Sequence, residues 1–177
     1  QGCTDPQLDI SLSSSSIKEG GSTVTLTATI DKPLGANLVV PISTSGTATA
    51  GSDYNAITSI TISAGNLTGT ATVTSVDDSL YDSSIAETII FTASNVQGTT
   101  CPGGTLTQTL ALIDNDSAPT AQLSASASSI AEDAGSSLTL TATLNRATYE
   151  NVTVALCTSG TSTEGSDYAT ISDITIP

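Results

Sequence analysis

The sequence predicts an all-β protein, an immunoglobulin-like two-sheet Greek-key sandwich built as tandem repeats. Three observations carry that prediction. Ser and Thr alternate with aliphatic residues along most of the chain, as in Thr23-Val24-Thr25-Leu26-Thr27-Ala28-Thr29. Such alternation gives a strand one wet and one dry face. The apolar load falls on Val, Ile, Leu, Thr and Ala, with no Met or Trp and with Phe91 as the sole phenylalanine. β-Branched side chains of this kind pack well on a pleated surface. Finally, the chain repeats itself. Ile17-Lys18-Glu19-Gly20 returns as Ile130-Ala131-Glu132-Asp133, an offset of 113. Thr23 to Thr29 returns as Ser137 to Thr143, and Ser45 to Tyr54 returns as Ser159 to Tyr168, both at an offset of 114. A unit of this length is an independent sandwich domain, not a short solenoid repeat.

Within the first unit the alternation marks seven strands: 8–13, 22–30, 38–44, 57–62, 68–76, 87–93 and 106–113. Turn-rich runs at 32–37, 46–55, 64–66, 77–84 and 98–104 separate them. Pro41, inside the third strand, points to an edge or a bulge. Residues 1–7 read as a tail, 8–116 as the first domain, 117–121 as a linker and 122–177 as the amino-terminal half of a second domain. Half a sandwich exposes an apolar face and unpaired edges. Its missing strands are expected from a continuing chain, or from a neighbour by β-strand addition.

The acids are informative. The chain carries 17 Asp and Glu against 3 Lys and Arg, a formal net charge of -14. That balance repels nucleic acid and anionic membranes and attracts cations. In an antiparallel sandwich the ends of the first, third, fifth and seventh strands fall at one pole. Glu19, Asp53, Asp77, Asp78, Asp82, Glu87, Asp114 and Asp116 all lie at or just beyond those ends, so they are expected to converge. Crowded carboxylates need a compensating cation. Calcium, with six to eight oxygen ligands in flexible geometry, suits them better than magnesium. Zinc and copper would prefer His, which is absent, or Cys. The plain alternative is a solvated acidic surface.

The ordered set Glu19-Gly20, Gly46-Thr47-Ala48-Thr49-Ala50-Gly51-Ser52-Asp53-Tyr54, Ala64-Gly65, Asp77-Asp78 and Asp114-Asn115-Asp116 resembles the Calx-beta domain. The resemblance covers the first unit and the first half of the second. It implies that Glu19, Asp53, Asp77, Asp78 and Asp114 or Asp116 help to hold calcium. Asp82 stands where a Glu is common, and the loop to Glu87 is longer by about two residues, so the resemblance leaves Asp82 and Glu87 as alternatives. In the second unit Glu132 and Asp167 match Glu19 and Asp53, and Asp133 replaces Gly20.

Of the three cysteines, Cys3 and Cys101 fall at the pole opposite the acids and are expected to form a disulfide, while Cys157 takes the place of Ser43. Tyr54 and Tyr168 repeat as structural aromatics. Asn66 and Asn151 head acceptor sequences for N-glycosylation. Asn115 heads a third and is the poorest candidate, since a glycan there would crowd the acidic loop. No catalytic set is present: no His can serve as general base, and no Gly-rich phosphate loop carries a Lys. The chain starts without Met and has no apolar run long enough for a bilayer, so it reads as a mature secreted chain or a fragment. The expected role is a calcium-stabilised structural or adhesive module of an extracellular surface protein or fibre, with neighbouring modules as partners. The alternatives are a carbohydrate- or protein-binding module and a filament subunit completed by a donated strand.

Overall fold

A computed structural model describes residues 4–82, 86–97, 99–101, 104–133 and 135–177. The chain divides into two compact units, Gln1–Asp78 with Ser84–Asn115 and Ser79–Ser83 with Asp116–Pro177. All regular structure among the described residues is β.

The first unit holds β1 (Leu8–Leu12), β2 (Ser16–Lys18), β3 (Thr23–Ile30), β4 (Leu38–Gly46), β5 (Ser59–Ile62), β6 (Thr68–Thr74), β7 (Glu87–Ala93) and β8 (Thr107–Ile113). They form two sheets, ordered β1-β3-β6 and β2-β8-β7-β4-β5. Alternation sets the register. Val24 faces Val73 and Leu26 faces Ala71 across β3 and β6. The inward row Leu8, Leu26, Ile30, Val40, Ile60, Ile62, Val73, Ile89, Phe91, Leu110 and Leu112 is at most 1% exposed. The outward Thr and Ser meet water. Tyr54 joins this core edge-on to Phe91, with ring centroids 6.3 Å apart and planes at 76°.

Two details go beyond the sequence pattern. The pattern runs the first strand as one piece from Leu8 to Ser13 and leaves Ile17 in a loop. The structure carries the chain from one sheet to the other over Ser13 to Ser15. β1 pairs antiparallel with β3, whereas β2 pairs parallel with β8, placing Ile17 opposite Leu112. Ile17 is buried there. Pro41 sits where β4 changes partners: Leu38–Pro41 pairs with β5, and Ile42–Gly46 pairs with β7. A residue without an N–H is tolerated at such a switch.

The second unit holds β9 (Ala121–Ala125), β10 (Leu140–Leu144), β11 (Val152–Val154) and β12 (Ile174–Ile176), in two two-stranded antiparallel sheets. These repeat β1, β3, β4 and β5. Their inward row is uncovered. Ile10 is 2% exposed but its counterpart Leu123 is 54% exposed, and Ile17 at 4% becomes Ile130 at 53%. Leu138, Leu140, Leu156, Ile171 and Ile174 line an open cavity of about 1440 Å³. In the first unit Val73, Ile89, Phe91, Leu110 and Leu112 from β6, β7 and β8 occupy the corresponding space. Ser79–Ser83 belongs with this unit; Tyr81 bridges to Thr148, and its carbonyl accepts from the Tyr149 amide at 3.0 Å.

Candidate metal centre

The parallel pairing of β2 with β8 builds the acidic pole. Parallel strands end on the same side, so Glu19, just after β2, and the Asp114-Asn115-Asp116 run, just after β8, emerge together. The Glu19 amide donates to the Ile113 carbonyl at 3.0 Å. The segment leaving β6 is tied to the same place by Ser75. Its amide donates to the Ser22 carbonyl at 3.0 Å, and its hydroxyl donates to the Lys18 carbonyl at 2.7 Å. Ser75 is 3% exposed. It continues the inward positions Gly69, Ala71 and Val73, and a hydroxyl in that inward row was the available sequence signal for its role. The Val76 amide then donates to the Asp53 carbonyl at 2.9 Å, which sets the course of Asp77 and Asp78.

Ser75→Ala is expected to destabilise the fold by about 1–3 kcal/mol, the usual cost of leaving a buried partner unsatisfied. A urea midpoint unmoved by the substitution would show that these bonds do not hold the pole together.

Glu19, Asp78 and Asp116 each bring a carboxylate oxygen into one group, all within 4.8 Å of one another. Glu19 and Asp116 are half-buried and Asp78 is exposed. Arg146 stands 3.6 Å from the Asp116 carboxylate and offsets part of its charge. The donor chemistry fits calcium: three hard oxygens, with neighbouring carbonyls and water to complete the shell. In that arrangement Glu19, Asp78 and Asp116 would hold the ion, and the ion would neutralise their mutual repulsion.

The other expected acids are not members of that group. Asp53 closes its own loop: its carboxylate accepts from the Thr49 amide at 2.6 Å, and its amide donates to the Thr49 carbonyl at 2.9 Å. Asp167 does the same with Thr163, at 2.7 and 2.8 Å. The repeat of Asp53 in the second unit thus tracks a loop-closing bond common to both. Asp77 accepts from the Asn115 side chain at 2.8 Å. Asp82, Glu87 and Asp114 are half-buried and outside the three-carboxylate group, and residues 83–85 between the first two lie outside the described residues. In the second unit Glu132 is exposed, and Asp133 accepts from the Ser136 hydroxyl.

Cys101 is buried and disulfide-bonded; the pairing with Cys3 lies outside the described residues. Around it the Cys101 amide donates to the Pro6 carbonyl at 2.8 Å. Cys157 is a free, exposed thiol. Asn66, in the turn between β5 and β6, and Asn151, just before β11, are exposed, whereas the Asn115 side-chain amide is engaged with Asp77.

The sequence profile of the Calx-beta domain matches residues 5–108 and 114–174. No curated protein is significantly similar in sequence. Among solved structures, the apo form of the Calx CBD1 domain matches with a TM-score of 0.47 and 15% identity, covering 62% of this chain and 99% of that one. CBD12 from CALX1.2 matches with a TM-score of 0.46 and 15% identity, covering 56% of this chain. This chain spans 41% of the CBD12 structure.

Proposed function

Because the chain belongs to the Calx-beta domain family, we propose that it is a calcium-stabilised structural module of an extracellular surface protein or fibre. One observation carries the reading: Glu19, Asp78 and Asp116, far apart in sequence, offer carboxylate oxygens within 4.8 Å of one another. Bringing like charges together costs free energy that a divalent ion returns. Asp114 and Asp116 run directly into the 117–121 segment, so the ion would also order the chain as it leaves β8. The absence of any His-based or nucleophilic set agrees with a non-enzymatic role. The disulfide at Cys101 supports an oxidising, extracellular setting.

Calorimetric titration of the full chain tests the proposal. Calcium is expected to bind and to raise the melting temperature, with magnesium much weaker. By linkage, calcium at a hundred times its Kd contributes about 2.7 kcal/mol. A melting curve identical in chelator and in millimolar calcium would reject it.

A second reading has strands from another chain complete the second unit. Among the described residues β10 pairs with β9 alone, while β3, its counterpart, pairs with β1 and β6. That reading predicts elongated, SDS-resistant ladders of the isolated chain. A uniformly monomeric profile excludes it at the concentrations used.

A further inference from the structure

β1, β2 and β6 are outermost in their sheets, and side chains bond to backbone groups on their outer edges. Along β2 the Ser15 carbonyl and the Glu19 amide bond to β8, so alternation turns the backbone groups of Ser16 and Lys18 outward. The Ser14 hydroxyl covers Ser16 there: it donates to the Ser16 carbonyl at 2.9 Å and accepts from the Ser16 amide at 3.3 Å. The Ser75 hydroxyl covers the Lys18 carbonyl. Asn55 does the same for β6. Its side-chain carbonyl accepts from the Thr74 amide at 2.5 Å, and its side-chain amide donates to the Thr72 carbonyl at 3.0 Å. On β1 the Ile10 amide donates to the Thr105 carbonyl at 2.8 Å, and the Gln108 side chain donates to the Ile10 carbonyl at 3.0 Å.

An edge of unpaired amides and carbonyls is a template for another strand. We infer that Asn55 and Ser14 block such addition: they occupy the groups by which the matching edge of a second copy of this chain would pair with the first unit. The residue types follow from the chemistry. A carboxamide both accepts and donates, so Asn55 covers an amide and a carbonyl two residues apart; a hydroxyl does the same for Ser16. The second repeat shows that neither side chain is needed to shape its own loop. Asp53-Tyr54-Asn55 returns as Asp167-Tyr168-Ala169, and Ser13-Ser14 returns as Ser126-Ala127. The Gly51 amide still donates to the Tyr54 carbonyl at 2.7 Å, and the Gly165 amide to the Tyr168 carbonyl at 2.7 Å. The Ser13 hydroxyl accepts from the Thr25 amide at 2.9 Å, and the Ser126 hydroxyl from the Thr139 amide at 2.9 Å. Both loops keep their form with alanine in place; what alanine lacks is the polar group that covers an edge.

The test uses the full chain, in enough salt to screen its net charge of -14. In dilute solution Asn55→Ala should speed exchange of the Thr74 amide by about fivefold, the factor set by one hydrogen bond of average strength. At high concentration the variant should sediment as a larger species than the parent. Matched concentrations make any association through the second unit common to both. Asn55→Lys loses the bond to the Thr74 amide as well but leaves a charge on the edge, which opposes pairing. It should exchange as fast as Asn55→Ala and sediment like the parent. Association by both variants would trace to loosened folding, and association by neither would mean that the edge needs no cover; either result overturns the inference. Adding Ser14→Ala to Asn55→Ala should enlarge the species further, and no change on that addition would remove Ser14 from the assignment.

Discussion

Asp78→Asn is expected to move stability in opposite directions with and without calcium. In chelator, the substitution removes one of three like charges gathered within 4.8 Å. Asp78 is exposed, so the relief is modest, about 0.5 kcal/mol, which corresponds to about 2–4 °C in Tm for a domain of this size. In calcium the same change removes a charged ligand. Each tenfold loss of affinity then subtracts about 1.4 kcal/mol of the stabilisation that the ion provides. Paired thermal melts of parent and variant, in chelator and in millimolar calcium, should therefore cross. Glu19→Gln should behave alike, because it belongs to the same group. Asp53→Asn should not show the crossing, since that carboxylate closes the Thr49 turn and its loss is felt under both conditions. Parallel curves for the Asp78 variant would mean that the acids coexist without an ion.

Phe91→Ala is expected to give the largest loss of stability, about 3–5 kcal/mol. Phe91 is fully buried, and the remaining core is aliphatic apart from Tyr54. Their edge-to-face contact adds about 0.5–1.5 kcal/mol beyond the area buried. No neighbouring side chain is bulky and flexible enough to fill the gap, because the chain has no Met and no Trp. Set against a total of about 5–15 kcal/mol for a typical domain, this loss leaves the first unit close to unfolding. Urea denaturation followed by circular dichroism measures it. In a double-mutant cycle with Tyr54→Ala the losses should fall short of additive. Tyr168→Ala, the equivalent change in the second unit, should cost far less, since Tyr168 is only half-buried and no ring contact to it occurs among the described residues. A loss below about 1 kcal/mol for Phe91→Ala would contradict the packing described.

Much of the fold was legible because period-two alternation is a local signal. Val24, Leu26, Ala28 and Ile30 mark their own inward face, and the structure buries all four. The three residues of β2 were not legible, since Ser-Ile-Lys has no period; only the partner β8 makes them a strand. That pairing also explains the pole. Strand order alone brought eight acids from residues 19–116 to one end, but backbone hydrogen bonds decide which carboxylates meet. Glu19, Asp78 and Asp116 do so, whereas Asp53 is occupied by Thr49 and Asp77 by Asn115. At Asp53 and Asp167 the repetition has a local physical reason: a loop-closing aspartate recurs with its loop.

The division of the first strand between the two sheets has a mechanical consequence. β2 lies near the start of the first unit and β8 at its close, side by side and pointing the same way. A pull on the two chain ends drags these neighbours lengthwise past each other. Their hydrogen bonds then bear the load together, in shear, instead of opening one after another like a zip. Under tension such a seam resists more than a pairing of the same length opened from one end.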